Sequence, residues 1–350
     1  MKKYWSELAK GLTPYVPGEQ PKLNNLIKLN TNENPYAPSP KVREAIDKVC
    51  SERLRLYPDP ECSRLKAAIA RRHGVGADRV FVGNGSDEVL AFCFPAFFGP
   101  ARRILFPDIT YSFYKVYAAF FGIPYETVPL REDFSLDAED LSRPCGGVLL
   151  ANPNAPTGLA MQRRGIEQIA RHCESLLLVD EAYVEFGGES AVDLTAELDN
   201  LLVVKTFSKS HSLAGMRVGY AIGHQGLIEA LECVKNSFNS YTLDVLAQAA
   251  AIAAIEDDAY CAEQLRKIRQ TREWTAGQLQ DMGFCVLPSS ANFLFIRHPE
   301  KTGAQLMQQL RGKGIIVRHF EQERIRDFMR VTIGTQPQMQ QFVRELGALV

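Results

Sequence analysis

The sequence predicts an α/β protein: a large unit on a mainly parallel sheet, followed by a smaller α+β unit. Three observations carry this. Short apolar runs recur without polar alternation, as strands covered on both faces require. Helix-like stretches separate those runs, the pattern of β–α units that lay their strands parallel. After about residue 240 the rhythm changes, and a long helical stretch gives way to short strands and two further helices.

Taken in order, the first thirty residues hold Pro14, Pro17 and Pro21 and little periodicity, and read as an extended arm. Helical stretches are expected at 41–55, 61–73, 86–98, 111–121, 163–174 and 225–235. The apolar runs around and between them are RVFVG (79–83), RRILF (102–106), YETVPL (125–130), GVLLAN (147–152), LLLVDE (176–181), LLVVKTF (201–207) and VGYAIG (218–223). Residues 243–281 read as one or two long helices. FCVLP, NFLFIR, a helix near 303–313, GIIVR, MRVTIG and a last helix follow. The expected organisation is an arm at 1–30, a large unit at 31–245 and a small C-terminal unit at 246–350.

The chain has 350 residues, 46% of them hydrophobic, enough for a large core and more than one domain. Forty basic residues against 41 acidic ones leave a net charge of −1, which gives no basic excess for nucleic acid. The eight cysteines form no CxxC pair, so no metal site is expected. The start, MKKYWSELAK, is too polar for a signal peptide, and no apolar run suggests a membrane span. A cytoplasmic protein with free thiols is expected.

Polar groups collect where the apolar strands end, the place where open α/β sheets bind ligands. In TFSKS (206–210), Lys209 follows the apolar run LLVVKTF. A lysine in a polar turn is ordinarily solvated. One at the mouth of a buried strand has the partly desolvated setting that an imine-forming amine needs. Asp180 ends LLLVD; it suits either a helix cap or a pairing with a protonated ring nitrogen, and Tyr183 lies three residues on. GNGSDE (83–88) is a glycine turn opening a helix, suited to phosphate, although Ser86 or Asp87 as a plain cap accounts for it equally. NPNAPTG (152–158) must be a turn, with Asn152 at the strand end. There is no P-loop and no G-x-G-x-x-G after a first strand, which disfavours a nicotinamide oxidoreductase.

The ordered set NENPYAPSP (32–40), YPDP (57–60), GNGSDE, NPNAPTG, VDEAYVEF (179–186), TFSKSHSLAGMRVGY (206–220), SANF (290–293) and RVTIGT (330–335) resembles the fold type I, class I/II aminotransferases. Within them it most resembles the histidinol-phosphate aminotransferases, as does TPYVPGE (13–19). The match covers nearly the whole chain. It implies the fold type I architecture, with a seven-stranded sheet in the large domain, and pyridoxal 5′-phosphate as cofactor. It also implies an amino donor and a 2-oxo acid as substrates, and a homodimer with shared active sites.

By the same resemblance, Lys209 matches the lysine that holds the cofactor as a Schiff base and moves the proton. Asp180 matches the partner of the pyridine nitrogen. Asn152 and Tyr183 match the pair at the ring 3-oxygen, and Tyr111 the stacking aromatic. Ser86, Asp87, Ser208 and Arg217 match the phosphate site, reached also by Tyr57 from the neighbouring subunit. Arg330 matches the arginine that binds the substrate anion, helped by Arg318 and Tyr15. Asn32 and Asn292 are expected near the substrate. The chain departs from the usual pattern at Ala37, at Ala155 and at Ser210-His211-Ser212, which leaves the preferred amino acid open. An aromatic aminotransferase and a threonine-phosphate decarboxylase share many of these motifs. A regulator built on such a domain would need an N-terminal DNA-binding module, and the residues before the first motif are not of that type.

Overall fold

The computed structural model describes residues 2–14, 18–19, 26–49 and 51–350. Strands are numbered along the chain from β1 (Ile27–Leu29). Among the described residues one sheet has seven strands: β2 (Val80–Gly83), β3 (Ile104–Pro107), β4 (Tyr125–Val128), β5 (Gly147–Ala151), β6 (Leu177–Asp180), β7 (Leu201–Thr206) and β8 (Gly219–Gly223). Their order is β2-β8-β7-β6-β5-β3-β4. β8 runs antiparallel to both its neighbours, and the other pairings are parallel.

The missing polar alternation has its reason in this sheet. Successive residues of β7 serve opposite cores: Leu201 and Val203 face one, Leu202 and Val204 the other. Helices cover both faces, so each side of a strand must be apolar. β4, at the edge, is the exception and leaves Tyr125 exposed. The covering helices are amphipathic, as in Arg163–His172, which buries Ile166, Ile169 and Ala170 and turns its charges outward.

A second sheet has the order β1-β11-β12-β10-β9, with β9 (Cys285–Val286), β10 (Phe293–Arg297), β11 (Ile315–His319) and β12 (Phe328–Thr332). β1 joins β11 in parallel, and the remaining pairs are antiparallel. Its apolar face packs with residues of the helices Asp258–Asp281, Gly303–Gly312 and Gln336–Gly347.

The arm ends in β1, a strand of the second sheet, and two expected boundaries shift. The division at 245/246 falls before the helix Val245–Ile255, yet Ala247, Ala250 and Ala251 of that helix are buried in the first core. The change of core comes after it, with Leu265 and Ile268 of the next helix. The helix expected over 41–55 stops at Asp47, and Ser51–Arg55 forms a 3₁₀ turn with no buried side chain to hold an α-helical face. Among the described residues no helix is long and apolar enough to cross a membrane.

Candidate active site

A cavity of about 960 Å³ opens where the carboxyl ends of the first sheet meet residues 30–33, β11 and β12. Lys209, Asp180, Tyr183, Tyr111, Ser86, Asp87, Ser208 and Arg217 line it from the first sheet. Arg318 and Arg330 line it from the second. Residues scattered over 300 positions of sequence therefore share one chamber.

Lys209 leaves the end of β7 and sends its Nζ to the Thr31 carbonyl at 3.1 Å. Burial, reinforced by the positive charge of Arg330, pushes its ammonium down to about 8. Near neutral pH a useful share is then free amine, the form that attacks a carbonyl and accepts a proton. Asp180 is 6% exposed. Burial raises its carboxyl to about 6, against the lowering effect of hydrogen bonds from the Ala182 N–H at 3.1 Å and the Tyr114 hydroxyl at 3.2 Å. A buried carboxyl with only neutral donors beside it gains most from a cation brought within reach.

One end of the cavity suits an anion. The helix Gly85–Phe97 begins there with its free N–H groups and positive dipole end. Arg217 lies across that terminus. A Cβ on Gly85 would come within 2.4 Å of the Arg217 Nη2, and one on Gly219 within 2.3 Å of the Ser86 nitrogen. Both positions therefore demand glycine for the guanidinium and the turn to approach. The Ser208 and Thr206 hydroxyls lie 3.0 Å apart, and Ser208 lines this end of the cavity.

The opposite end also carries positive charge. Arg318 and Arg330 stand directly across from each other on β11 and β12. Like charges in that register repel unless an anion lies between them. The Phe320 ring lies 5.8 Å from each guanidinium, and Arg330 also meets Phe293 at 5.3 Å and donates to the Asn30 carbonyl at 3.0 Å.

Several expected residues stand differently. Asn152 does not line the cavity: its Nδ2 donates to the Met161 carbonyl at 3.1 Å and its Oδ1 accepts the Met161 N–H at 2.7 Å. The amide braces its own turn through its oxygen and one of its two N–H groups. Asp87 points its carboxylate at Arg217 (2.9 Å) and accepts the Tyr111 hydroxyl (2.7 Å), so it orients those two groups and only its backbone can serve an anion. Asn32 lines the cavity, yet its side chain is engaged by Tyr183 and Thr332 and is not aimed at a substrate. Asn292 is fully buried and donates to the Asn32 carbonyl at 3.0 Å. Tyr57 stays out of the cavity, exposed and stacked on Tyr241 at 4.5 Å. His211 packs on Phe207 and meets Ser210 Oγ at 2.9 Å, outside the cavity. Tyr15 lies outside the described residues.

The sequence did not single out Tyr114, Thr332, Phe320 or Asn34. Asn34 Nδ2 donates to the Lys209 carbonyl at 3.1 Å and steadies the loop that presents the lysine. The asparagines at 30, 32 and 34 were a signal: three amides spaced by two in one short segment are more than a turn needs.

The family model for aminotransferase class I and II matches residues 24–346. The chain is 56% identical over 340 residues to a histidinol-phosphate aminotransferase of Dechloromonas aromatica, covering 96% of each chain. It is 55% identical to one of Methylococcus capsulatus, covering 100% of this chain and 98% of the other. The solved histidinol-phosphate aminotransferase of Sinorhizobium meliloti, in complex with pyridoxal-5′-phosphate, superposes with a TM-score of 0.89 at 25% identity over 99% of both chains.

Proposed function

Because the chain belongs to the class I and II aminotransferase family, we propose that it moves an amino group from L-histidinol phosphate to 2-oxoglutarate, giving imidazole acetol phosphate and L-glutamate, in histidine biosynthesis. The cofactor is pyridoxal 5′-phosphate. The single observation that carries this reading is one cavity holding a lysine with a lowered pKa and a buried carboxyl, between two cationic ends.

The residues fit the cofactor. When bound, pyridoxal phosphate supplies an aldehyde that condenses with amines and a protonated ring that draws electrons from the substrate α-carbon. Lys209 would be the amine that holds it and, in its neutral form, the base for the proton at the substrate α-carbon. Asp180 answers the ring N–H: its carboxyl, raised by burial, returns to the charged form once a positive partner arrives. The helix N-terminus at Ser86 and Asp87, with Ser208 and Arg217, takes the phosphate. Tyr111 would stack on the ring, its hydroxyl held by Asp87 at 2.7 Å.

Arg318 and Arg330 take the anionic end of either substrate: the phosphate of histidinol phosphate, or a carboxylate of glutamate. A planar fork suits both, and one site then serves both half-reactions. The chemistry is tested by glutamate formation from histidinol phosphate and 2-oxoglutarate in a coupled assay. No turnover alongside activity on phenylalanine, or CO₂ release from threonine phosphate, would sink the assignment of substrate.

The reading includes a cytoplasmic homodimer. Leu54, Leu56 and Tyr57 stand exposed in one short stretch, and Phe238 and the Tyr57-stacked Tyr241 are exposed too, an apolar face that a second copy would cover. Tyr57, 81% exposed and outside its own chain's cavity, is then free to reach the partner's phosphate site. Tyr57→Phe should weaken cofactor binding several-fold; a fully active monomer in sedimentation would refute the shared site.

A further inference from the structure

We infer that Asn32 is a positioning residue for this reaction: it turns the proton of the Tyr183 hydroxyl into the cavity, toward the ring oxygen of the cofactor. The inference rests on the pyridoxal-phosphate reading above.

It follows from counting protons along one chain of hydrogen bonds. The Asn32 backbone N–H donates to Thr332 Oγ1 at 3.0 Å. Thr332 has a single hydroxyl proton and gives it to Asn32 Oδ1, also at 3.0 Å. With Oδ1 turned to Thr332, Nδ2 faces Tyr183 and donates to its oxygen at 2.9 Å. The phenol oxygen is thus an acceptor on the Asn32 side, and its own proton must leave in another direction. Ala155, Ala291 and Phe293 pack around the Tyr183 ring, and their side chains accept nothing. The cavity, which Tyr183 lines, is the remaining direction.

The setting is built for this. Asn32 is 1% exposed and holds φ +58°, a left-handed conformation that asparagine tolerates better than most residues. Asn292 clamps its carbonyl. On the same wall Ala155 has no polar atom and offers no donor beside Tyr183. Because Thr332 belongs to β12 and Tyr183 follows β6, the hydroxyl direction is set only where the two sheets meet.

Asn32→Asp keeps the shape and the tolerance for positive φ but replaces the donor by an acceptor. Tyr183 then gives its proton to residue 32 and withdraws it from the cavity. A donor at the ring oxygen favours that oxygen's anionic form, so its loss should raise the pH midpoint of the visible absorption change of the holoenzyme by on the order of one unit. The cofactor-free protein should also lose most of its preference, in equilibrium binding, for pyridoxal phosphate over its 3-O-methyl ether. In a Tyr183→Phe background the same substitution should add little to either readout. If Asn32→Asp does not fold, Asn32→Gly, which keeps the backbone conformation, should show a smaller loss of preference in the same direction. An unchanged midpoint and unchanged analogue preference would overturn the inference. So would a shift that persists undiminished with Tyr183→Phe, which would mark it as the charge alone. A wild-type protein that takes up no pyridoxal phosphate would instead overturn the cofactor reading beneath it.

Discussion

Lys205 and Lys209 stand four residues apart, one buried on β7 and one just beyond its end, half-buried at the cavity wall. Their ammonium groups are nevertheless driven in opposite directions. Lys205, 3% exposed, lies between Glu181 Oε2 at 3.0 Å and Glu185 Oε1 at 2.8 Å. Burial alone would lower its pKa, but the two carboxylates overcome that and raise it. Glu181 is held in turn by the Ser190 hydroxyl and the Ala191 N–H, each at 2.6 Å. Lys209 meets a carbonyl and the field of Arg330, and burial takes it down to about 8. Burial by itself therefore does not make a lysine reactive, since the more deeply buried of the two is the one held charged. The charges enclosed with it decide whether it is a permanent cation in the core or an amine ready for chemistry.

The largest expected effect breaks the reactive side. Lys209→Ala should lower kcat for glutamate formation by on the order of 10³–10⁴-fold and abolish the visible absorption of the loaded protein, with little change in melting temperature. An unchanged spectrum would make the two lysines equivalent and remove the contrast. The second effect breaks the structural side. Lys205→Ala leaves Glu181 and Glu185 facing each other without a cation, which should cost about 3–5 kcal/mol in urea unfolding. Lys205→Met, applied together with Glu181→Gln and Glu185→Gln, should recover much of that.

Asp180→Ala comes next. It should leave part of the cofactor bound yet reduce kcat by on the order of 10²-fold, since the ring nitrogen loses its counter-charge; a near wild-type rate would contradict the role. The smallest effect sharpens the electrostatics. Binding of pyridoxal phosphate through Lys209 needs the neutral amine, so its rate should climb with pH up to about 8 and level off above. Arg330→Met removes a positive neighbour that favours the neutral form. The Lys209 pKa should rise, and the inflection in stopped-flow absorbance should move to higher pH by up to about one unit. An inflection that stays in place would assign the lowered pKa to burial alone.

The strands were legible because a strand buried on both faces writes an uninterrupted apolar run, and a strand-end polar cluster interrupts it visibly. Lys209, Asp180, Tyr183 and Arg217 stood out by that rule and by the order of their motifs. Asn152 stood out equally, but its part in its own turn did not. An asparagine in a proline-rich turn has its own backbone as the nearest partner, and only the fold shows that Met161 takes both ends of its amide. Tyr114 passed unnoticed because a tyrosine in an apolar helix looks like packing until its hydroxyl is seen on Asp180. β1 passed unnoticed because three residues carry too short a pattern to read.

What the sequence determined alone was the succession of covered strands, the polar clusters at their ends, and the place of Lys209 at one of those ends. These are local properties, recorded in neighbouring residues by hydrophobic period and turn chemistry. The tertiary structure decided which lysine is paired, which amide faces the cavity and which way a hydroxyl points. Those outcomes depend on charges and donors brought from far along the chain: Lys205 to Glu181 spans 24 residues, Asn32 to Tyr183 spans 151, and Arg330 to Asn30 spans 300. Electrostatic sign is a property of the assembled neighbourhood, and no stretch of sequence holds that neighbourhood by itself.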